Sequence, residues 1–292
     1  MKNNQLPLTA ATLQKKREIL ERAGLLRLLN KSGKINIPAH LKSLKIDIGL
    51  SYSAPNSALW LKEQDDTMIF GFEPNPQCIA ALKAGACHGN DDPAVWIDAK
   101  SVIIPTGEKR RAQENDQECW VREEDLLPYE ERFELLTCAL DDVDSPCYQK
   151  FFMTRDDPGC SSLYKPCFFA LRNVVDVPVI SFYDFLSLLP WDRIPYIDCV
   201  KIDTQGKDYD ILKSAKEYLQ KIVFPQVEMS TGQEYEAPNR EKDIEELLLA
   251  NDFELLQRVD VDGAYYNKKY KHLRETFIIN TLALGRGVCE KE

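Results

Sequence analysis

Two acids and a glycine, each closing an apolar run, are the residues of this chain best placed to do chemistry. The run LKIDIG ends in Asp47-Ile48-Gly49, and TMIFGFE ends in Glu73, 26 residues after Asp47. Glycine at a strand-to-helix turn lets backbone come close to a ligand. Ser51 or Ser53 can bond that ligand or cap a helix starting near Pro55, whose free N–H groups favour a carboxylate or phosphate. An acid at the end of the following strand can accept hydrogen bonds from both hydroxyls of a ribose. Taken alone, Asp-x-Gly also describes an ordinary tight turn.

The glycine pattern G-x-G-x-x-G that packs a pyrophosphate against a helix is missing, which argues against NAD, NADP and FAD. A cofactor with a ribose and no pyrophosphate fits better, and S-adenosylmethionine is one. Its chemistry would be an in-line displacement at a sulfonium carbon, driven largely by alignment in a dry pocket. An alcohol acceptor also benefits from a base. Asp203, ending IDCVKID, is the first candidate and Glu228, ending KIVFPQVEM, the second. Each has a structural alternative: Asp203 as a helix cap or partner of Lys201, Glu228 as an acceptor for a sugar hydroxyl. Ser161, Ser162 and Tyr164 in DDPGCSSLY offer hydroxyls suited to a polyol acceptor, or form a turn.

The elements that must position these groups read as α/β. Strands are expected at 44–49, 67–73, 133–140, 197–203 and 221–229, with helices near 55–64, 76–84, 181–189, 207–220 and 240–251. Asn75 caps the second helix and Pro76 takes its first turn, with Gly85 as its stop. FELLQRVDV (253–261) and ETFIINTLAL (275–284) are expected to pair antiparallel as the last two strands, with Tyr265 and Tyr266 in a loop between them. Leucines from Leu13 to Leu29 predict an N-terminal helix. The expected organisation is therefore a helical extension over 1–43 and a main domain over 44–292, interrupted by an insertion at about 86–132.

The stretches IDIGLSYSAPNS, FGFEPNP, LLTCALDD, DDPGCSSLY and VPVISFYDFL, followed by IDCVKIDTQGKDYDILKSAKEYL, together resemble the FkbM-type methyltransferases, a branch of the class I S-adenosylmethionine-dependent fold. The likeness runs from about Leu44 to about Ser230. It implies a Rossmann-like, seven-stranded, mostly parallel sheet with an antiparallel last strand and helices on both faces, and methyl transfer to oxygen on a small molecule, sugar or glycan. By position it puts Asp47, Gly49, Ser51 and Ser53 on the first cofactor loop and Glu73 on the ribose. Cys138, Ala139 and Leu140 fall on the adenine side, and Asp203 near the reacting methyl. Two positions depart from the family pattern. Ser51 and Ser53 stand in a loop that is generally richer in glycine and carries Asn, and Gln205 stands where Glu is usual.

Composition narrows the classes further. With 37 basic against 47 acidic residues in 292, the net charge of −10 argues against a general nucleic-acid binder. No apolar run approaches the length of a membrane span, and the first residues lack the apolar core of a signal peptide, so a cytoplasmic protein is expected. Nine cysteines without a C-x-x-C pair read as reduced thiols, and no metal is assigned. Two other readings stay open: a scaffold that binds S-adenosylmethionine without transferring methyl groups, and a methyltransferase acting on RNA or protein. The oligomeric state is not legible.

Overall fold

A computed structural model describes residues 10–52, 54–83, 94–96, 104–106, 131–155, 157–229, 234–236, 238, 240–259 and 261–273. Ser53, Gly85, the segment 275–284 and most of 86–132 lie outside them. Within that insertion, β3 (Ala94–Trp96) and β4 (Ile104–Thr106) form an antiparallel pair.

Among the described residues the main sheet has seven strands: β1 (Ser43–Ile48), β2 (Thr67–Phe72), β5 (Phe133–Leu136), β9 (Ile197–Ile202), β10 (Ile222–Glu228), β11 (Phe253–Val259) and β12 (Asp262–Asn267). Their order across the sheet is β5-β2-β1-β9-β10-β12-β11. Every pairing from β5 to β10 is parallel, and β12 runs antiparallel to both neighbours. The Rossmann-like architecture expected from the sequence is therefore present. Strand β11 pairs with 262–267, so Tyr265 and Tyr266 are buried strand residues rather than the loop expected, while the expected strand 275–284 lies outside the described residues.

Alternation within β1 shows how sequence builds the two faces. Leu44, Ile46 and Ile48 enter a core shared with α4 (Phe182–Ser187), α5 (Asp208–Ser214) and α6 (Glu241–Ala250). The opposite face of the sheet carries α2 (Pro55–Glu63) and α3 (Pro76–Lys83), packed through Ala58, Trp60, Leu61 and Leu82. Lys45 and Asp47 point that way, and Asp47 accepts a 2.6 Å hydrogen bond from Ser57 of α2. At α3, Asn75 Oδ1 accepts from the Gln77 N–H at 3.0 Å and Pro76 fills the first turn.

The run 133–140, expected as one strand, divides between two sheets. Thr137 turns its N–H to the Ala23 carbonyl (3.1 Å), just beyond α1 (Ala10–Arg22), and its hydroxyl to the Arg22 carbonyl (2.7 Å). The chain thereby leaves the main sheet, and β6 (Ala139–Leu140) joins β8 (Leu171–Ile180), which also pairs with β7 (Cys147–Thr154). The small sheet β6-β8-β7 stands beside the carboxyl ends of β1 and β2. It carries the segment 157–164 over them.

Candidate functional site

The carboxyl ends of β1, β2 and β9 open into a cavity of about 230 Å³. Gly49, Ser51, Glu73, Cys138, Ala139, Leu140, Ser161 and Asp203 all line it, with Asp157–Cys160 forming part of the cover. Position in an open sheet explains the location, since a crevice forms where neighbouring strands send their helices to opposite faces. Here β1 feeds α2 on one face and β9 feeds α5 on the other.

Glu73 ties the first two strand ends together. Its Oε2 accepts the Ser51 N–H at 2.8 Å and its Oε1 accepts the Asn75 N–H at 2.8 Å. Burial pushes its carboxyl up to about 8, against the pull of those two donors. In the ionised form each oxygen keeps a second lone pair.

Gly49 has φ +84°, and a Cβ there would lie 1.8 Å from the Asp203 carbonyl oxygen. The close backbone approach that the sequence suggested is therefore made first by the protein's own β9 end. Gly49→Ala is expected to cost about 3 kcal/mol through backbone strain and overpacking, read as a lowered denaturant midpoint. The neighbouring N–H groups also have protein partners: Gly49 and Leu50 donate to the Phe72 carbonyl at 3.0 and 3.4 Å. Ser51 sits in the left-handed region at φ +57° and caps nothing, because α2 starts after Ala54 with no side-chain cap. The expectation of a Ser51 cap is corrected on that ground. Its side chain instead packs beneath Gly159.

Asp47 lies under the cavity floor. Its Oδ2 is held by Ser57, and its buried Oδ1, 4.0 Å from Lys201 Nζ, has no hydrogen-bond partner among the described residues. Lys201 meets Asp203, the pairing that the sequence offered as one alternative for that acid. Its ammonium stands 3.1 Å from Asp203 Oδ2 and donates to the Gly49 carbonyl at 3.1 Å. Burial alone would raise the Asp203 carboxyl, but Lys201 and hydrogen bonds from its neighbours outweigh it and hold Asp203 below its ordinary range. Asp203 is thus a carboxylate at neutral pH, its side chain 37% exposed at the cavity.

Glu228 sits behind Asp203. Its carboxyl is pushed up to about 10 by burial first, then by Asp203 and Asp208. An acid raised in the folded state takes up a proton on folding, so its contribution to stability is greatest below the unfolded value near 4.5 and declines as pH rises toward 10. Glu228→Gln, which mimics the protonated form, is expected to raise the thermal midpoint at pH 9 by at least about 2–4 °C and to leave it nearly unchanged at pH 5. A scan at the two pH values checks this.

The expected acceptor hydroxyls are distributed differently. Ser161 lines the cavity, but its Oγ accepts from Asn75 Nδ2 and from the Thr154 N–H, both at 3.1 Å. Ser162 is buried outside the cavity wall and donates to the Gln205 carbonyl at 2.8 Å. Tyr164 also lies outside the wall, its hydroxyl 3.4 Å from Asp210 Oδ2 and its ring beneath Lys207 Nζ. Residues that sequence reasoning missed include Thr204, Lys207 and Tyr235. Thr204 and Lys207 lie on the turn after β9, where the Asp203 signal could have led to them, whereas Tyr235 belongs to a distant loop with no local pattern. Among the described residues, no group of three or more His, Cys, Asp or Glu is placed to hold a metal ion, and no helix is long and apolar enough to cross a membrane.

Comparison with known proteins gives one family: the methyltransferase FkbM domain matches residues 47–255. No curated protein and no solved structure matches the chain. The matched span takes in both strand ends, the covering segment and the Asp203 turn.

Proposed function

We propose that this chain, which belongs to the FkbM methyltransferase family, binds S-adenosylmethionine in the cavity over β1, β2 and β9 and methylates a hydroxyl group of a small molecule, sugar or glycan. The observation that carries the reading is the meeting of the first two strand ends. The Ser51 N–H reaches Glu73 across 2.8 Å, and both residues share one cavity with Asp203.

The residues fit such a cofactor. Glu73 can accept two ribose hydroxyls through its remaining lone pairs, and Cys138, Ala139 and Leu140 give a largely apolar wall for the adenine. Thr204 contributes to the wall and its Oγ1 has no hydrogen-bond partner among the described residues, so a polar ligand group would satisfy it. Bound there, the cofactor supplies a methyl group on a sulfonium centre.

The rest of the chemistry belongs to the chain. Asp203 Oδ1 or Oδ2 takes the proton of the acceptor hydroxyl, and Lys201 keeps that carboxylate ionised and aimed. The loop 157–161, fixed to α3 by Asn75 donating to the Pro158 carbonyl at 3.0 Å, limits water at the cofactor. The acidic composition favours a small neutral acceptor over RNA.

Isothermal calorimetry with S-adenosylmethionine, followed by a panel of sugar and small-molecule alcohols, tests the reading. One saturable site and methyl transfer to an alcohol are expected. Binding without turnover on any acceptor class would favour the scaffold alternative, and absence of binding would end both.

A further inference from the structure

Glu228 has no task in the scheme above, yet its surroundings are specific. Gln205 Nε2 donates to Asp203 Oδ1 at 2.9 Å and to Glu228 Oε2 at 3.1 Å, so one amide nitrogen bridges acids from adjacent strands. The other end of that amide is fixed too. The Tyr235 hydroxyl lies 2.8 Å from Gln205 Oε1 and 2.7 Å from the Cys160 carbonyl, positions from which it can donate to either. A carbonyl oxygen facing the phenol leaves the amide nitrogen facing the two carboxyls.

Both anchors are held by further contacts. Tyr235 is 2% exposed, its ring lies 5.8 Å from that of Phe169, and its loop is pinned by Cys167 N–H to the Glu234 carbonyl and Glu236 N–H to the Lys165 carbonyl, each 2.7 Å. Gln205 holds a left-handed backbone, φ +58°, and its carbonyl accepts from Ser162 Oγ. A non-glycine residue stays in that region only when its surroundings over-determine it.

Two carboxyls this close do not both ionise near neutrality. The groups facing the pair are Lys201, Asp47 and Glu73 beside Asp203, Asp208 and Asp262 near Glu228, and Cys160 and Tyr235 from the covering loops. Lys201 contacts Asp203 directly, whereas acids crowd Glu228. Charge therefore settles on Asp203 and the proton on Glu228.

We propose that Tyr235 is a positioning residue: by fixing the Gln205 amide, it keeps the Asp203–Glu228 pair at one proton, with the charge on the cavity side and the proton behind it. The inference rests on the reading of Asp203 as the base, and it adds Gln205 and Tyr235 to that machinery.

Carbon-13 NMR of the full chain labelled at Asp and Glu carboxyls tests it, with Asp203→Asn and Glu228→Gln used for assignment. In the wild type, the Glu228 signal should be that of a neutral acid at pH 7 and the Asp203 signal that of a carboxylate. In Tyr235→Phe, which keeps the ring packing, the Asp203 midpoint should rise by about one pH unit, the equivalent of one lost hydrogen bond to a charged group. Gln205→Met should raise it at least as much, and it decides the matter should Tyr235→Phe fail to fold. An ionised Glu228 at pH 7, or variants that titrate like the wild type, would overturn the proposal. A chain that titrates as expected but binds no S-adenosylmethionine would leave the shared proton standing and remove the methyl-transfer reading. The reverse result would do the opposite.

Discussion

Asp203→Asn is expected to slow methyl transfer by about two to four orders of magnitude, the usual contribution of a positioned general base. The asparagine keeps the shape and can still accept from Gln205, but it cannot take a proton from an alcohol. Cofactor affinity should change by only a few-fold, because the carboxylate acts on the acceptor. The loss would therefore fall on the rate constant rather than on binding. Single-turnover transfer to any alcohol that the wild type methylates, with calorimetry alongside, separates the two quantities. An unchanged rate in the variant would assign the proton to another group.

Glu73→Ala is expected to weaken S-adenosylmethionine binding by at least about a hundredfold. At pH 9, where a carboxyl raised to about 8 is ionised, each ribose hydroxyl bonded to it contributes roughly 1.5–3 kcal/mol, about tenfold or more apiece. Removing the side chain also leaves the Ser51 and Asn75 N–H groups without their acceptor, which loosens the first loop. Glu73→Gln separates the two effects, since its single carbonyl oxygen can still hold one of those N–H groups. Calorimetry should rank affinity as wild type, then Gln, then Ala. Equal affinity across the three would mean that the ribose is bound elsewhere.

Local signals made much of this fold legible. Apolar runs closing on Asp47, Glu73, Asp203 and Glu228 marked the ends of β1, β2, β9 and β10 to within a residue or two, because a buried parallel strand must be apolar until it meets the crevice. Asn75-Pro76 marked the start of α3 for the same kind of reason, since capping chemistry is carried by the residues themselves.

What stayed hidden depends on partners far along the chain. Nothing within 133–140 announces that Thr137 will give its hydrogen bonds to Arg22 and Ala23 and so cut the run in two. Strand β8 was not anticipated as a strand: its outer half is largely exposed and mixes apolar with polar residues, and its partners are β6 and β7 rather than the main sheet. Ser51 and Ser162 look like ligand-facing hydroxyls, yet one packs under Gly159 and the other secures Gln205. The Lys201 contact with Asp203 follows from two-residue spacing along β9, which places both side chains on one face. Tyr235 enters from a loop 30 residues beyond its amide partner, and only the fold brings it there.

The claim that the ends of β1 and β2 jointly hold an adenosyl group is tested most directly by a co-crystal structure with S-adenosylhomocysteine. The account predicts density with both ribose hydroxyls on Glu73, the adenine against Cys138–Leu140 and the sulfur facing Asp203. Density at any other place on the chain, or an empty cavity at saturating ligand, would contradict it.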